Sequence, residues 1–233
     1  MRNIKLTIEY DGTNYFGWQT QRDKRTVQET IEKALKKLFK ENIKIAGSGR
    51  TDAGVHATGQ AANFKIRHSI SADNLQKALN SNLPKDIVII DVKEAGRNFH
   101  SRFNAKSKVY RYTILNRIYP SALLRDKVYF YPHALSINLM RRQARYFLGK
   151  HDFKPFCNSR SGVKDTARTV KLINIKRDKQ GFIRIDIEAD GFLYNMARKI
   201  VGTLIEAGRG KKNMDKAGPT APAKGLCLLE VKY

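Results

Sequence analysis

The chain has 233 residues, 41% of them hydrophobic, with 16 Gly and 6 Pro. That excludes disordered and collagen-like chains and suffices for one large domain or two small ones. Lys and Arg number 45 against 21 Asp and Glu, a formal charge of +24 with a pI near 10.1, so the expected partner is a polyanion. The longest stretch without Asp, Glu, Lys or Arg, Val128 to Met140, is interrupted by Pro132 and His133. The first residues, Met1-Arg2-Asn3-Ile4-Lys5, carry charges where a signal peptide has an apolar run. No membrane span or export signal is expected. Cys157 and Cys227 have no partner at metal-ligand spacing, which disfavours a disulfide scaffold and a zinc site and fits a reducing cytoplasm.

In chain order, Ile4, Leu6 and Ile8 alternate with Lys5, Thr7 and Glu9, a strand closed by the turn signal Asp11-Gly12. Thr26 and Glu29 form a capping box for a helix whose apolar face is Val27, Ile31, Ala34, Leu35, Leu38 and Phe39. Strands are expected at Ile43 to Ala46 and Gln60 to Ile66, then a helix from Ser71 to Leu83 stopped by Pro84, then a buried strand from Ile87 to Val92. The order is β-α-β-β-α-β. It returns after Lys108: a strand Val109 to Leu115, a helix Ser136 to Leu148, strands Thr169 to Lys176 and Phe182 to Glu188, a helix Tyr194 to Ala207 and a strand Leu226 to Val231. The expected fold is α+β, two tandem ferredoxin-like units of antiparallel sheet with helices on one face, spanning 1–105 and 106–233.

The long loop of the first half reads Gly47-Ser48-Gly49-Arg50-Thr51-Asp52-Ala53-Gly54-Val55-His56-Ala57. Its glycines permit close approach of the backbone to a ligand. Asp52, flanked by small residues between Arg50 and His56, either caps a turn or helix or supplies an ionised carboxylate as nucleophile or general base. A phosphate-binding P-loop is excluded because no Gly-Lys-Ser/Thr follows the glycines, and a zinc deaminase because His-x-Glu and Cys-x-x-Cys are missing.

The run Gly49 to Ala57 resembles the signature of the TruA-type tRNA pseudouridine synthases. Ile8-Glu9-Tyr10-Asp11-Gly12 with Phe16-Gly17-Trp18-Gln19 is similar to the family's opening. Phe99-His100-Ser101-Arg102-Phe103 and Lys108-Val109-Tyr110-Arg111-Tyr112 resemble its centre, and Gly191 to Arg198 with Gly225-Leu226 its C-terminal motifs. The resemblance implies isomerisation of uridine to pseudouridine at positions 38, 39 and 40 of the tRNA anticodon stem-loop, without cofactor or metal, by a homodimer with the active cleft between the halves. It makes Asp52 the catalytic aspartate, Tyr110 the tyrosine that stacks on the target base, Arg198 the arginine that pairs with the aspartate, and Arg50 the motif arginine beside it. The segment 208–225 is shorter than the family pattern leads one to expect.

In this reaction the bond from ribose C1′ to uracil N1 breaks, the base turns over, and C5 joins C1′. An ionised Asp52 can serve by attacking C1′ to give a ribosyl ester or by removing the 2′ proton to give a glycal, and both routes stay open. An aromatic plane such as Tyr110 offsets part of the unstacking cost, and its phenol can relay the C5 proton. Tyr112 reads as core. His56 either braces the loop or touches phosphate. Arg102 and Arg111, with Arg2, Lys24, Arg25, Arg97, Arg141, Arg142, Arg168 and Lys199, are candidate phosphate contacts, and binding dominated by them is steeply salt-dependent. The rivals are tandem RNA-recognition domains, whose aromatic fingerprint is missing, and a metal-dependent nuclease, which a chelator would inactivate.

Overall fold

The computed structural model describes residues 1–157, 165–211 and 217–233. It is a mixed α/β protein with four α-helices among the described residues, and it divides into two compact units, Met1–Lys106 with Leu228–Tyr233, and Ser107–Cys227.

In the first unit β1 (Arg2–Tyr10) leads to α1 (Val27–Phe39), β2 (Ala46–Gly47), β3 (His56–Ile66), α2 (Ala72–Asn82) and β4 (Ile87–Ala95). β1 lies between β4 and β3, antiparallel to both, and β2 pairs antiparallel with β3. The even-numbered residues Ile4, Leu6 and Ile8 are essentially inaccessible and form one core with Val27, Ile31 and Leu35 of α1 and Leu75 and Leu79 of α2. Burial of each such side chain contributes roughly 1.5 to 3 kcal/mol. The first helix starts at the cap expected from the sequence, and the second starts one residue after Ser71, the expected first helical residue, which serves as its cap. Thr26 accepts from the Glu29 amide, and Ser71 accepts from the Asn74 amide.

Two expectations for this unit are corrected. Ile43 to Ala46 is not a strand: the Ile45 amide donates to Glu32 Oε1 and its carbonyl accepts from Gln28 Nε2. Side chains of α1 thus satisfy both backbone groups, and strand pairing begins only at Ala46. The strand from Ile87 is not buried on both faces. It extends to Ala95 as an edge strand, and Val88 and Ile90 are exposed while Ile87 and Ile89 are inaccessible.

In the second unit β5 (Ser107–Leu115) is followed by the two-residue β6 (Tyr129–Phe130), α3 (Ile137–Ala144), β7 (Gly149–Asp152), β8 (Ala167–Arg177), β9 (Phe182–Ala189) and α4 (Met196–Gly208). β5 pairs with β9, β9 with β8 and β8 with β7, all antiparallel, while β6 lies parallel to β5. The helix expected to reach Leu148 ends at Ala144 and tightens into a 3₁₀ turn over Arg145–Phe147, and neither β6 nor β7 was expected. The final strand, β10, is Leu226–Lys232 and belongs to the first unit from Leu228 onward. Residues 212–216 of the short segment 208–225 lie outside the described residues.

Tyr112 is core, as expected: it is inaccessible, and its hydroxyl donates to the Pro222 carbonyl at 2.8 Å. Burial pushes its phenol above the ordinary tyrosine range, with Tyr129 adding to the rise and the Arg198 charge opposing it. Tyr112→Phe removes one buried hydrogen bond and is expected to cost about 1 kcal/mol. For a chain of this size thermal unfolding should show a drop of roughly 2 to 4 °C, and an unchanged melting temperature would show the bond to be dispensable.

Candidate active site

The loop carrying Asp52 is shaped by its backbone. The Val55 amide donates to the Asp52 carbonyl, and Gly54 sits at φ +77° in the third position of that turn, where an L side chain would be strained. The loop runs straight into β3, so Asp52 caps no helix. A bulge between Ile8 and Tyr10 sets Tyr10 opposite Ala57, and the Tyr10 hydroxyl lies 2.8 Å from Thr51 Oγ1. The end of β1 is thereby tied to the residue before Asp52.

A second loop, Asp11 to Trp18, lies against the first at both ends. A Cβ on Gly12 would sit 2.0 Å from the Val55 carbonyl oxygen, and one on Gly17 would sit 2.4 Å from that of Thr51. Between these contacts the Trp18 amide donates to the Thr51 carbonyl and the Gly54 amide to the Tyr15 carbonyl. This clamp is the part of the site that sequence reasoning missed. Its signal was the pair of glycines inside the opening motif, Asp11-Gly12 and Phe16-Gly17. Asp52 is half-buried in this clamp, Thr51 is buried, and Arg50 is exposed.

His56 braces. Its ring is buried, Nδ1 accepts from the Gly12 amide at 3.1 Å, and Asp11 Oδ1 lies at the same distance from that nitrogen. The same Asp11 oxygen accepts from the amide and hydroxyl of Thr13.

In the second unit Tyr110 stands on β5 opposite Ile187, with its ring edge-on to Phe192 at 4.9 Å and only 6% exposed. Arg198 is in the first turn of α4. Its Nε donates to the Ala221 carbonyl and Nη1 to Asn195 Oδ1, while the Ala221 amide returns a bond to the Arg198 carbonyl. Asn195, at φ +64°, turns the chain into the helix. Segment 217–222 can lie on α4 because Gly202 has no side chain there: a Cβ would fall 1.7 Å from the Pro219 carbonyl oxygen. Thr203 Oγ1 accepts from the Gly218 amide.

Many expected phosphate contacts are bound to the protein itself. Arg111 holds Asp186 through two bonds of 2.7 and 2.9 Å, which raise its pKa further. Arg2 holds Glu94, Arg25 holds Asp86 and Tyr15, Arg141 reaches the Ile175 carbonyl, Arg168 those of Asp165 and Ala167, and Lys199 that of Cys157. Arg97, Arg102 and Arg142 are exposed, and Arg102 lies over the exposed ring of Phe103. Among the described residues no group of three or more His, Cys, Asp and Glu side chains is placed to hold a metal ion. No helix among them is long and apolar enough to cross a membrane.

A sequence profile described as tRNA pseudouridine synthase matches residues 6–104 and 143–233. A tRNA pseudouridine synthase A of Acetivibrio thermocellus is 49% identical over the whole of both chains, as is a tRNA pseudouridine synthase A 2 of Clostridium perfringens. One from Caldicellulosiruptor bescii is 48% identical, again over both chains in full. These alignments run over 245 positions, against the 233 residues of this chain. Among solved structures, a chain of a Cbf5-Nop10-Gar1 complex is similar with a TM-score of 0.39 and 14% identity, over 96% of this chain and 57% of that one. The chain belongs to the tRNA pseudouridine synthases of the TruA type. It is an isomerase that acts on uridine in tRNA.

Proposed function

We propose that the chain converts uridine to pseudouridine at positions 38, 39 and 40, on the 3′ side of the tRNA anticodon stem-loop, with Asp52 as nucleophile or general base. The observation that carries this reading is the clamp of Gly12 and Gly17 on residues 51–55, which presents a half-buried carboxylate on a fixed backbone in a chain of charge +24. A base or nucleophile on such a support needs no rearrangement to meet the ribose. In this reading Arg198 is the arginine that pairs with Asp52, Arg50 stands beside it in the motif, and Tyr110 offers its ring to the target base. His56 holds the loop, while Arg102 and Arg111 are proposed to meet phosphates. The working unit is a homodimer in the cytoplasm, with tRNA as its partner.

The same reading takes the chain as two ferredoxin-like units, 1–105 and 106–233. The antiparallel order β4-β1-β3-β2 of the first supports it, as does the order β5-β9-β8 of the second, which repeats the path from first to third to second strand.

Isomerisation at C5 releases the hydrogen bound there. An anticodon-arm transcript with uridine tritiated at C5 should therefore lose its label to water in metal-free buffer, one tritium for each pseudouridine formed, with EDTA making no difference. Retention of tritium at positions 38 to 40, with release elsewhere in a whole tRNA, would overturn the assignment of site. Dependence on a divalent ion would overturn the metal-free chemistry.

A further inference from the structure

Beside the Asp52 loop stands an aromatic side chain that the reaction described so far does not use. The opening loop carries three aromatic residues that the fold treats differently: Tyr15 and Trp18 are each 2% exposed, whereas Phe16 is 50% exposed. Single exposed apolar residues are common and need no explanation by themselves. Phe16 differs in how tightly its backbone is held. Its amide donates to the Arg25 carbonyl and its carbonyl accepts from Gln21 Nε2. The next residue, Gly17, packs its bare α-carbon on the Thr51 and Asp52 backbone, and the Gly17 and Trp18 carbonyls receive the amides of Val27 and Gln28 at the start of α1. The backbone that carries a large, half-exposed apolar ring is thus held one residue from the contact with Asp52.

The ring also carries a cation. Lys24 Nζ lies 4.5 Å from its centroid, placed there by a tight turn in which Gln21 and Lys24 bridge and Asp23 adopts φ +56°. Arg22, at the tip of that turn, is exposed. A half-exposed π face with an ammonium over the ring and an exposed arginine in the neighbouring turn is suited to one ligand chemistry, a nucleobase together with its phosphate.

We propose that Phe16 is a base-stacking residue: its ring stacks on the nucleobase flanking the uridine whose ribose meets Asp52, filling the space that the everted base leaves, while Lys24 meets the adjoining phosphate. The inference rests on the reading of Asp52 given above and adds to it the group that holds the RNA open. Everting a base that is paired costs more than everting one that is not. Phe16 therefore matters most where the target is paired.

Two anticodon-arm RNAs provide the test, one with the target uridine paired in the stem and one with the same uridine opposite a base that cannot pair. With Phe16→Ala the single-turnover rate of pseudouridine formation should fall about 10- to 100-fold on the paired substrate and less than about 3-fold on the unpaired one. Phe16→Trp should restore the paired rate and Phe16→Leu should not, because stacking needs a π face and mere bulk does not supply one. Equal losses on the two RNAs, full activity of Phe16→Ala on the paired one, or rescue by Leu as good as by Trp would overturn the proposal. Wild-type enzyme inactive on both RNAs would instead overturn the anticodon-arm reading beneath it, which keeps the two failures distinct.

Discussion

Asp52→Asn is expected to abolish pseudouridine formation, at least about 10⁴-fold in single-turnover rate, while leaving tRNA affinity within a few-fold of the wild type. The substitution preserves volume and removes one negative charge. Amide nitrogen and oxygen can neither attack C1′ nor accept the 2′ proton at a useful rate, so both chemical routes fail together. Affinity for a polyanion arises from cationic contacts with phosphates. A carboxylate in the same surface opposes that binding, so losing it leaves affinity equal or slightly tighter. Filter binding and tritium release on the same preparation separate the two effects. Wild-type turnover in the variant would remove Asp52 from the mechanism, and loss of binding in step with turnover would reduce it to a structural residue.

The second large effect is expected at a residue that touches no substrate. Gly17 has φ +85°, and a Cβ there would lie 2.4 Å from the Thr51 carbonyl oxygen and 3.1 Å from the Asp52 carbonyl carbon. Gly17→Ala combines a strained backbone with a collision against backbone that cannot rotate aside as a side chain would. Strain of this kind costs about 1 to 3 kcal/mol, and the displacement of the loop adds to it. A fall of roughly 5 to 10 °C in melting temperature is expected for a chain of this length. Turnover should fall further than stability implies, because a shift of about 1 Å in a catalytic group can cost on the order of 10²-fold. Gly96→Ala is the control, since a Cβ at Gly96 meets nothing within 4 Å. It should leave both melting temperature and turnover near wild type. If Gly17→Ala behaved like Gly96→Ala, the clamp would not be what holds Asp52.

How far the sequence exposed this structure depended on whether the determining contacts were local. The alternation of β1, the Thr26 cap, the start of α2 at Ser71 and the stop at Pro84 are decided within a few residues, and structure and sequence agree on them. Ile43 to Ala46 has the composition of a strand, but its hydrogen bonds are taken by Gln28 and Glu32, more than ten residues away, and no periodicity records that. Ile87 to Val92 is continuously apolar apart from Asp91, a composition that suggests burial on both faces, whereas Ile87 and Ile89 face the core and Val88 and Ile90 point to the opposite, open face of the sheet. β6 and β7 are too short to carry a pattern. At the site, Asp52 was visible as part of a long motif, but the clamp joins residues 12 and 17 to residues 51–55, a relation between two loops that neither loop reveals. The basic residues show the same limit. Their number was evident, while the assignment of Arg111 to Asp186 and Arg141 to a carbonyl required coordinates.

The clamp is made almost wholly of backbone: carbonyl against glycine, amide to carbonyl, at Gly12, Gly17, Thr51 and Gly54. Main-chain contacts of this kind do not hop between rotamers, so the protein side of the encounter is settled before the RNA arrives. On the reading proposed for Asp52, encounter with tRNA is then expected to be governed by diffusion under electrostatic attraction, with adjustment at this loop falling to the nucleic acid.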